Sequence, residues 1–492
     1  MAASEGSSMA TPKPLNVFFI PWFATGHLIP MVDVARLFAS RGVDSTVLVT
    51  PANAALVRRT VDGSSLSGHP IRTLLYPFPS AKAGLPPGVE NLASLPSKDT
   101  YKIDAATPYA RPALENLLRV HRPDAVVADV HFGWTALVAR DLGIPKLIFH
   151  ALGLLSVCAM GSISKFKPHL NVRDDTETFL IPGLPHSIRV ARPELPEFFL
   201  RDVKELSTFV QEKREAEASA MGVIVNSFSG IENAYADHLY KTSRLRSWFV
   251  GPVSLAANSS KQEQAVRGGS EDSDARPIAA WLDTKPAGSV VYVCFGSWCH
   301  FSDEQTREMS SGLENCGHPY LWIVREDSDL DTEPSEKGMV VKGWAPQVAI
   351  LGHPAVGAFV THCGWNSLLE GLSAGLPMVT WPLSTEQFIN EKLVVDVLRV
   401  GVKNWDGFRT TVEEDKVTVK AEDIAAAVGK VMGGAGEEAE RMMRRAKEYG
   451  ETARAAVDVG GSSYNGLSSL IEEIKAYKDA NYSVAANPHK SE

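Results

Sequence analysis

The sequence predicts an α/β protein of two Rossmann-like parallel-sheet domains facing a cleft. Three observations carry this reading. Short apolar strands recur along the chain with helical stretches between them, a polar stretch without apolar periodicity interrupts them near the middle, and the same alternation then resumes. At about 150 residues per domain, the 492 residues allow two to four domains.

In the first half the strands are NVFFI from Asn16, TVLVT from Thr46, AVVAD from Ala125, KLIFH from Lys146 and VIVNS from Val223. Near-continuous apolar runs suit parallel strands covered by helices on both faces. Between the first two, Leu28, Met31, Val32, Ala35 and Phe38 follow the spacing of one helix face, with Thr25 as a cap and Gly42 as a stop. Residues 258–276, rich in Ser, Gly, Gln and charge, read as a linker between a first domain, 15–257, and a second, 277–461. The second domain carries the strands SVVYVCFGS, YLWIV, GAFVTH and PMVTW. Leu467, Leu470, Ile471 and Ile474 form an apolar stripe on a closing helix, 462–478, expected to dock back toward the first domain. Residues 1–14 and 479–492 read as disordered.

Charge and composition exclude several classes of function. Forty-nine basic against 58 acidic residues give a net charge of −9, so there is no basic field for nucleic acid. The longest apolar run, Ala151 to Met160, is far short of the roughly 20 residues that span a bilayer. The first residues lack the basic and apolar regions of a secretory or transit peptide. Five cysteines, odd in number and never in CxxC, argue against a disulfide framework or a zinc knuckle. A cytoplasmic monomer is the expectation, with no nucleic acid and no stable membrane insertion.

In open parallel sheets ligands bind beyond the carboxyl ends of the strands, so the residues just after each strand carry the chemistry. After NVFFI comes Pro21 to His27, where Gly26 lets the backbone approach a ligand and His27 sits at the helix mouth. Asp129 closes AVVAD. A His held by an Asp is how a general base is built, while a capping His and a turn-forming Asp would serve structure alone. In the second half GAFVT runs into His362-Cys-Gly-Trp-Asn-Ser367 and a helix ended by Gly375. Gly364, Asn366 and Ser367 at its start, with His362 beside them, suit a diphosphate. Glu370 lies one turn along, within reach of ribose hydroxyls. Ordinary polar caps and a solvated Glu are the structural alternative. The acidic run Glu326 to Glu333 contains Asp-x-Asp, a pattern that can hold Mg²⁺ or Mn²⁺, although its Ser, Thr and Pro neighbours favour a loop.

The 44 residues from Trp344 to Gln387 resemble the donor-binding signature of plant secondary-product UDP-glycosyltransferases. PWFATGH, VVADVHFGW, CFGS and GGSSYNGLSSLIEEI resemble further blocks of that family in the same order. The resemblance implies the GT-B fold, with the acceptor in the first domain, UDP-glucose in the second, and no cofactor or metal. It implies that Trp344 stacks on uracil, with the Ala345 backbone and Gln347 completing uridine recognition. By the same resemblance Glu370 holds the ribose, Ser297, His362, Asn366 and Ser367 hold the diphosphate, and Trp365, Glu386 and Gln387 line the sugar. His27 and Asp129 fall on the base and its orienting carboxylate. Glu386 departs from the commoner Asp, which leaves galactose, xylose or glucuronic acid as alternatives to glucose.

The reaction so implied is inverting transfer of glucose to a hydroxyl of a small apolar acceptor, giving a β-O-glucoside. Trp22, Phe132, His150, Phe198 and Phe199 are the candidate acceptor contacts, being aromatic or polar near strand ends. Flavonoids, other phenolics, terpenoids and steroids all fit such a pocket. A nucleotide-sugar-binding protein without catalysis and a metal-dependent transferase are the competing readings.

Overall fold

A computed structural model describes residues 13–96, 99–200, 217–257, 267–268, 275–296, 299–326, 328–330, 337–433 and 436–486. Ser297, residues 1–12 and most of the 258–276 linker lie outside them. The described chain has the predicted α/β class, with two parallel sheets.

The first sheet uses β1 (Asn16–Ile20), β2 (Asp44–Val49), β3 (Arg72–Leu75), β4 (Ala125–Asp129) and β5 (Lys146–His150). After an antiparallel hairpin of β6 (Thr178–Leu180) and β7 (Arg189–Ala191), it is completed by β8 (Gly222–Val225) and β9 (Ser247–Phe249). The order is β3-β2-β1-β4-β5-β8-β9, so the chain reverses direction across the sheet between β1 and β4. That reversal opens a crevice at the carboxyl ends of these two strands. Side chains alternate between two apolar layers. Val17, Phe19, Ala125 and Val127 face one layer, and Phe18, Ile20, Val126 and Ala128 the other. Thr25 is the first residue of the following helix, Thr25–Ala39, and Ala24 takes the cap position expected for Thr25.

The second sheet uses β10 (Val290–Cys294), β11 (Tyr320–Val324), β12 (Gly338–Lys342), β13 (Val356–Thr361), β14 (Met378–Thr380) and β15 (Gly401–Lys403). Its order, β12-β11-β10-β13-β14-β15, reverses between β10 and β13. A single apolar cluster joins the two units, since Leu154, Leu155 and Val225 of the first share it with Trp365, Leu368 and Ile389 of the second. Buried ion pairs accompany it: Arg409 reaches Glu194 at 2.6 Å and Glu391 at 2.8 Å.

The closing helix, Ser462–Ala486, places Leu467, Leu470, Ile471 and Ile474 in the same apolar layer as Val17 and Phe19. It runs past the expected end at 478, and residues 479–486 are helical where disorder was expected. Polar ties extend it: Lys478 pairs with Asp124 at 2.9 Å, and the Asn481 amide donates to the Gly143 carbonyl at 2.8 Å. An apolar periodicity cannot register such contacts. No described helix is long and apolar enough to cross a membrane.

Candidate functional site

Register brings the first pair of residues together. Ile20 lies opposite Ala128, so β1 and β4 end side by side and the loop from Pro21 to Ala24 leaves next to Asp129. The helix then begins at once and presents His27 from its first turn. His27 Nδ1 is 2.7 Å from Asp129 Oδ2, and the carboxylate is fully buried. Its other oxygen is also taken: His131 Nδ1 lies 2.7 Å from Oδ1, and the His131 amide donates to the same atom at 3.1 Å. With its Nδ1 held by Asp129, His27 has Nε2 left for the cleft. Trp22 fixes the arrangement, stacked on His131 with centroids 4.0 Å apart and edge-on to His27 at 5.1 Å. Its indole N–H donates to Thr107 Oγ1 at 3.0 Å.

Electrostatics poise this group as a base. Burial alone lowers the His27 pKa, but the Asp129 carboxylate, with Glu386 and Asp104 beyond it, holds it above the ordinary imidazole value. Burial also disfavours charge on Asp129, yet the two imidazoles keep its carboxyl far below the usual range, so it is ionised throughout. Burial raises Asp104 and Glu386, each partly offset by His27. The ligand-type atoms of His27, Asp129 and His131 all lie within 4.8 Å of one another, a group able to chelate a metal ion.

Across the cleft, β13 delivers His362 beside the end of β10, where Cys294 lies opposite Thr361. The helix Trp365–Ala374 starts three residues later with Gly364 as its cap. Burial pushes His362 down to about 4, partly offset by a hydrogen bond to the Cys294 carbonyl, so it is a neutral imidazole there. Its buried Nδ1 has no partner among the described residues. Gln347 lies over the same helix, its amide donating to Ser367 Oγ at 3.0 Å and Glu370 Oε2 at 2.7 Å. Tyr292 donates to Gln347 Oε1 at 3.3 Å. Trp344 and Ala345 border the cleft just before it.

Two further residues join the helix Trp365–Ala374 to the first domain. Asn366 donates to the Gly26 carbonyl at 2.8 Å and accepts from Asn226 at 3.1 Å. The Trp365 indole donates to the Asn226 carbonyl at 2.8 Å. Glu386 takes the cap position of the helix Gln387–Lys392, and Gln387 Oε1 accepts from the Leu383 and Ser384 amides at 2.9 and 3.0 Å.

His27, His131, His362, Gln347, Asn366 and Glu370 line one cleft of about 2790 Å³, more than a single small ligand of the usual 300–1,000 Å³ needs, so two substrates can sit together; Asp129 and Asn226 support it from behind. Trp22, His150, Phe198 and Phe199 are on its wall. Phe132 is not, which corrects the sequence expectation. It is fully buried against Phe23 and Trp134, because the turn after Asp129 sends it back into the core and turns His131 outward. Glu326, Ser328 and Asp329 of the acidic run also border the cleft.

Comparison with known proteins gives this arrangement its family. Residues 266–443 match the family model described as UDP-glucoronosyl and UDP-glucosyl transferase. A scopoletin glucosyltransferase of Nicotiana tabacum is 40% identical over 480 residues, covering 95% of this chain and 99% of the relative. The chain belongs to the UDP-glycosyltransferase family. A soyasapogenol B glucuronide galactosyltransferase of Glycine max is 38% identical, over 94% of this chain and 96% of its own. Among solved structures, Glycyrrhiza uralensis UGT73P12 complexed with glycyrrhetinic acid 3-O-monoglucuronide superposes with a TM-score of 0.88 at 38% identity, covering 97% of this chain and 100% of its own.

This glycosyltransferase also holds site residues that reading along the sequence missed. His131 follows Asp129 by two positions and could have been flagged by that proximity. Asn226 directly follows β8 and so carried a positional signal. Arg267, in a segment read as linker, carried none.

Proposed function

We propose that this UDP-glycosyltransferase transfers glucose from UDP-glucose to a hydroxyl of a small apolar acceptor, with inversion, giving a β-O-glucoside. The observation that carries the proposal is the 2.7 Å contact between His27 Nδ1 and the buried Asp129, with Nε2 left to the cleft and the helix mouth at Gly364 across it. Nε2 takes the acceptor proton as the acceptor oxygen attacks the anomeric carbon from the face opposite the diphosphate. The anomeric C–O bond breaks, UDP leaves with the electron pair, and an α-linked donor becomes a β-glycoside through an oxocarbenium-like transition state. Asp129 stabilises the imidazolium that forms.

On the donor side, Trp344 stacks on uracil while the Ala345 backbone and Gln347 recognise its edge. Glu370 takes the ribose, and Ser297, His362, Gly364, Asn366 and Ser367 the diphosphate. The amides opening Trp365–Ala374 and the dipole of that helix meet charge that grows on the leaving group, so the step needs no metal. Trp365, Glu386 and Gln387 line the hexose, with Gly26 beside it. Trp22, His150, Phe198 and Phe199 offer the acceptor a mostly apolar wall, which suits flavonoids, other phenolics, terpenoids and steroids. Relatives named for scopoletin, an anthocyanin and a flavonoid support the phenolic end of that range. The enzyme works as a cytoplasmic monomer on this reading.

The test is UDP release in EDTA from UDP-glucose, UDP-galactose, UDP-xylose and UDP-glucuronic acid against a panel of phenols, terpenoid alcohols and steroids, with product anomers assigned by NMR. The expectation is a β-glucoside from one acceptor class, with His27→Ala losing at least about 10²-fold in kcat. Turnover abolished by EDTA and restored by Mg²⁺ or Mn²⁺ would overturn the metal-free mechanism. A preference for UDP-galactose, the sugar in the name of the Glycine max relative, would reassign the donor.

A further inference from the structure

Arg267 belongs to the stretch between the domains, yet its side chain is only 9% exposed. Its Nε lies 2.7 Å from Asp33 Oδ2 and its Nη1 2.7 Å from Glu370 Oε1. Asp33 sits on the helix that presents His27, in the first domain, and is fully buried; Glu370 sits on the donor-side helix of the second and is 5% exposed. Neighbouring Gly268 makes the approach feasible. It has φ +76°, and a Cβ there would lie 3.0 Å from Ile29 Cδ1 and 3.7 Å from Trp344 Nε1, so the chain threads between the first helix and the Trp344 ring.

We propose that Arg267 is a positioning residue for the donor: it clasps Asp33 to Glu370, fixes the Glu370 carboxylate for the ribose hydroxyls, and makes ribose recognition in the second domain depend on the first. This rests on the reading of Glu370 as the ribose ligand. Each carboxylate oxygen has about two lone-pair sites. Oε1 uses one on Arg267 and Oε2 one on the Gln347 amide, so each keeps one for a hydroxyl while its orientation is fixed from both sides. Charge points the same way. The guanidinium sets a positive charge against the buried Asp33 and Glu370 carboxylates where an anionic nucleotide must enter. A planar guanidinium can span two carboxylates at fixed angles, which an ammonium cannot.

The experiment measures Kd by calorimetry for UDP and 2′,3′-dideoxy-UDP, with donor KM and kcat, in the wild type, Arg267→Gln, Arg267→Lys, Asp33→Asn and Glu370→Ala. The wild type should prefer UDP by at least about tenfold, the scale of one hydrogen bond to a charged group. In Arg267→Gln the preference should shrink to within about threefold, with UDP bound more weakly and the loss appearing in donor KM more than in kcat. Arg267→Lys should fall between, and Asp33→Asn should move the same way although Asp33 lies in the other domain. Adding Arg267→Gln to Glu370→Ala should change the preference no further. Circular dichroism checks folding, and Arg267→Lys carries the test if the Gln variant does not fold. Retention of the preference in the Arg267 variants, while Glu370→Ala loses it, overturns the clasp and leaves the ribose site standing. Tighter UDP binding in Arg267→Gln also overturns it, because the clasp would then compete with the donor. Retention in Glu370→Ala removes the ribose assignment and the clasp with it.

Discussion

Asp129 serves two imidazoles with one carboxylate, and that sharing sets the pH behaviour expected of the reaction. Because the carboxylate holds His27 above the ordinary imidazole value, the free enzyme becomes competent only as pH rises through an apparent pKa above 6.5. Asp129→Asn removes the attraction while burial remains, and should move the acid limb of kcat/KM to lower pH while cutting the maximum by at least about 10²-fold. An acid limb that stayed in place would mean that another group sets it. The positions of His27 and Asp129 are legible in the sequence because both follow apolar strands, where parallel sheets expose their ends. The third member is signalled only by its closeness to Asp129, and the sequence does not say which of His131 and Phe132, two and three positions after the strand end, turns outward. Only the turn geometry places Phe132 in the core.

At the scale of elements, the donor-side helix depends on close packing at its far end. Gly375 closes it with φ +76°, a conformation that costs other L-residues roughly 1–2 kcal/mol. Gly450, on the helix Glu437–Val457, sits directly over that turn: a Cβ there would lie 2.8 Å from Gly375 Cα and 3.2 Å from the Leu372 carbonyl. Gly450→Ala should therefore cost about 1–3 kcal/mol in urea unfolding, the usual price of overpacking. A change below 0.5 kcal/mol, on the order of a neutral surface substitution, would show that the two helices separate freely. The existence and class of such elements follow from apolar periodicity. Their ends follow from contacts between distant residues, which is why the closing helix was read eight residues short, at 478 in place of Ala486.

Across the whole molecule, the two sheets are joined by bonds that run through the reacting groups: Asn366 to the Gly26 carbonyl, Trp365 to Asn226, and Arg267 between Asp33 and Glu370. Arg409, held by Glu194 and Glu391, fastens them at a second place. None of this is legible in a linear sequence, because every pair that runs between the domains, or between a domain and the stretch that links them, lies more than a hundred residues apart. The closing helix adds a different dependence, since its apolar stripe is part of the first domain's core. Leu470 is fully buried there, and Leu470→Ala should cost about 2–5 kcal/mol and make the first domain, more than the second, sensitive to limited proteolysis. Equal sensitivity of both domains would argue against that placement. The same packing orders events during synthesis. Residues 15–257 emerge from the ribosome long before residue 462, so one apolar face of the first sheet, with Val17 and Phe19 in it, must wait for the last stretch of chain to cover it. A nascent chain stalled in the second domain would present that face to chaperones, and emergence of the closing helix would be the step that completes the domain made first.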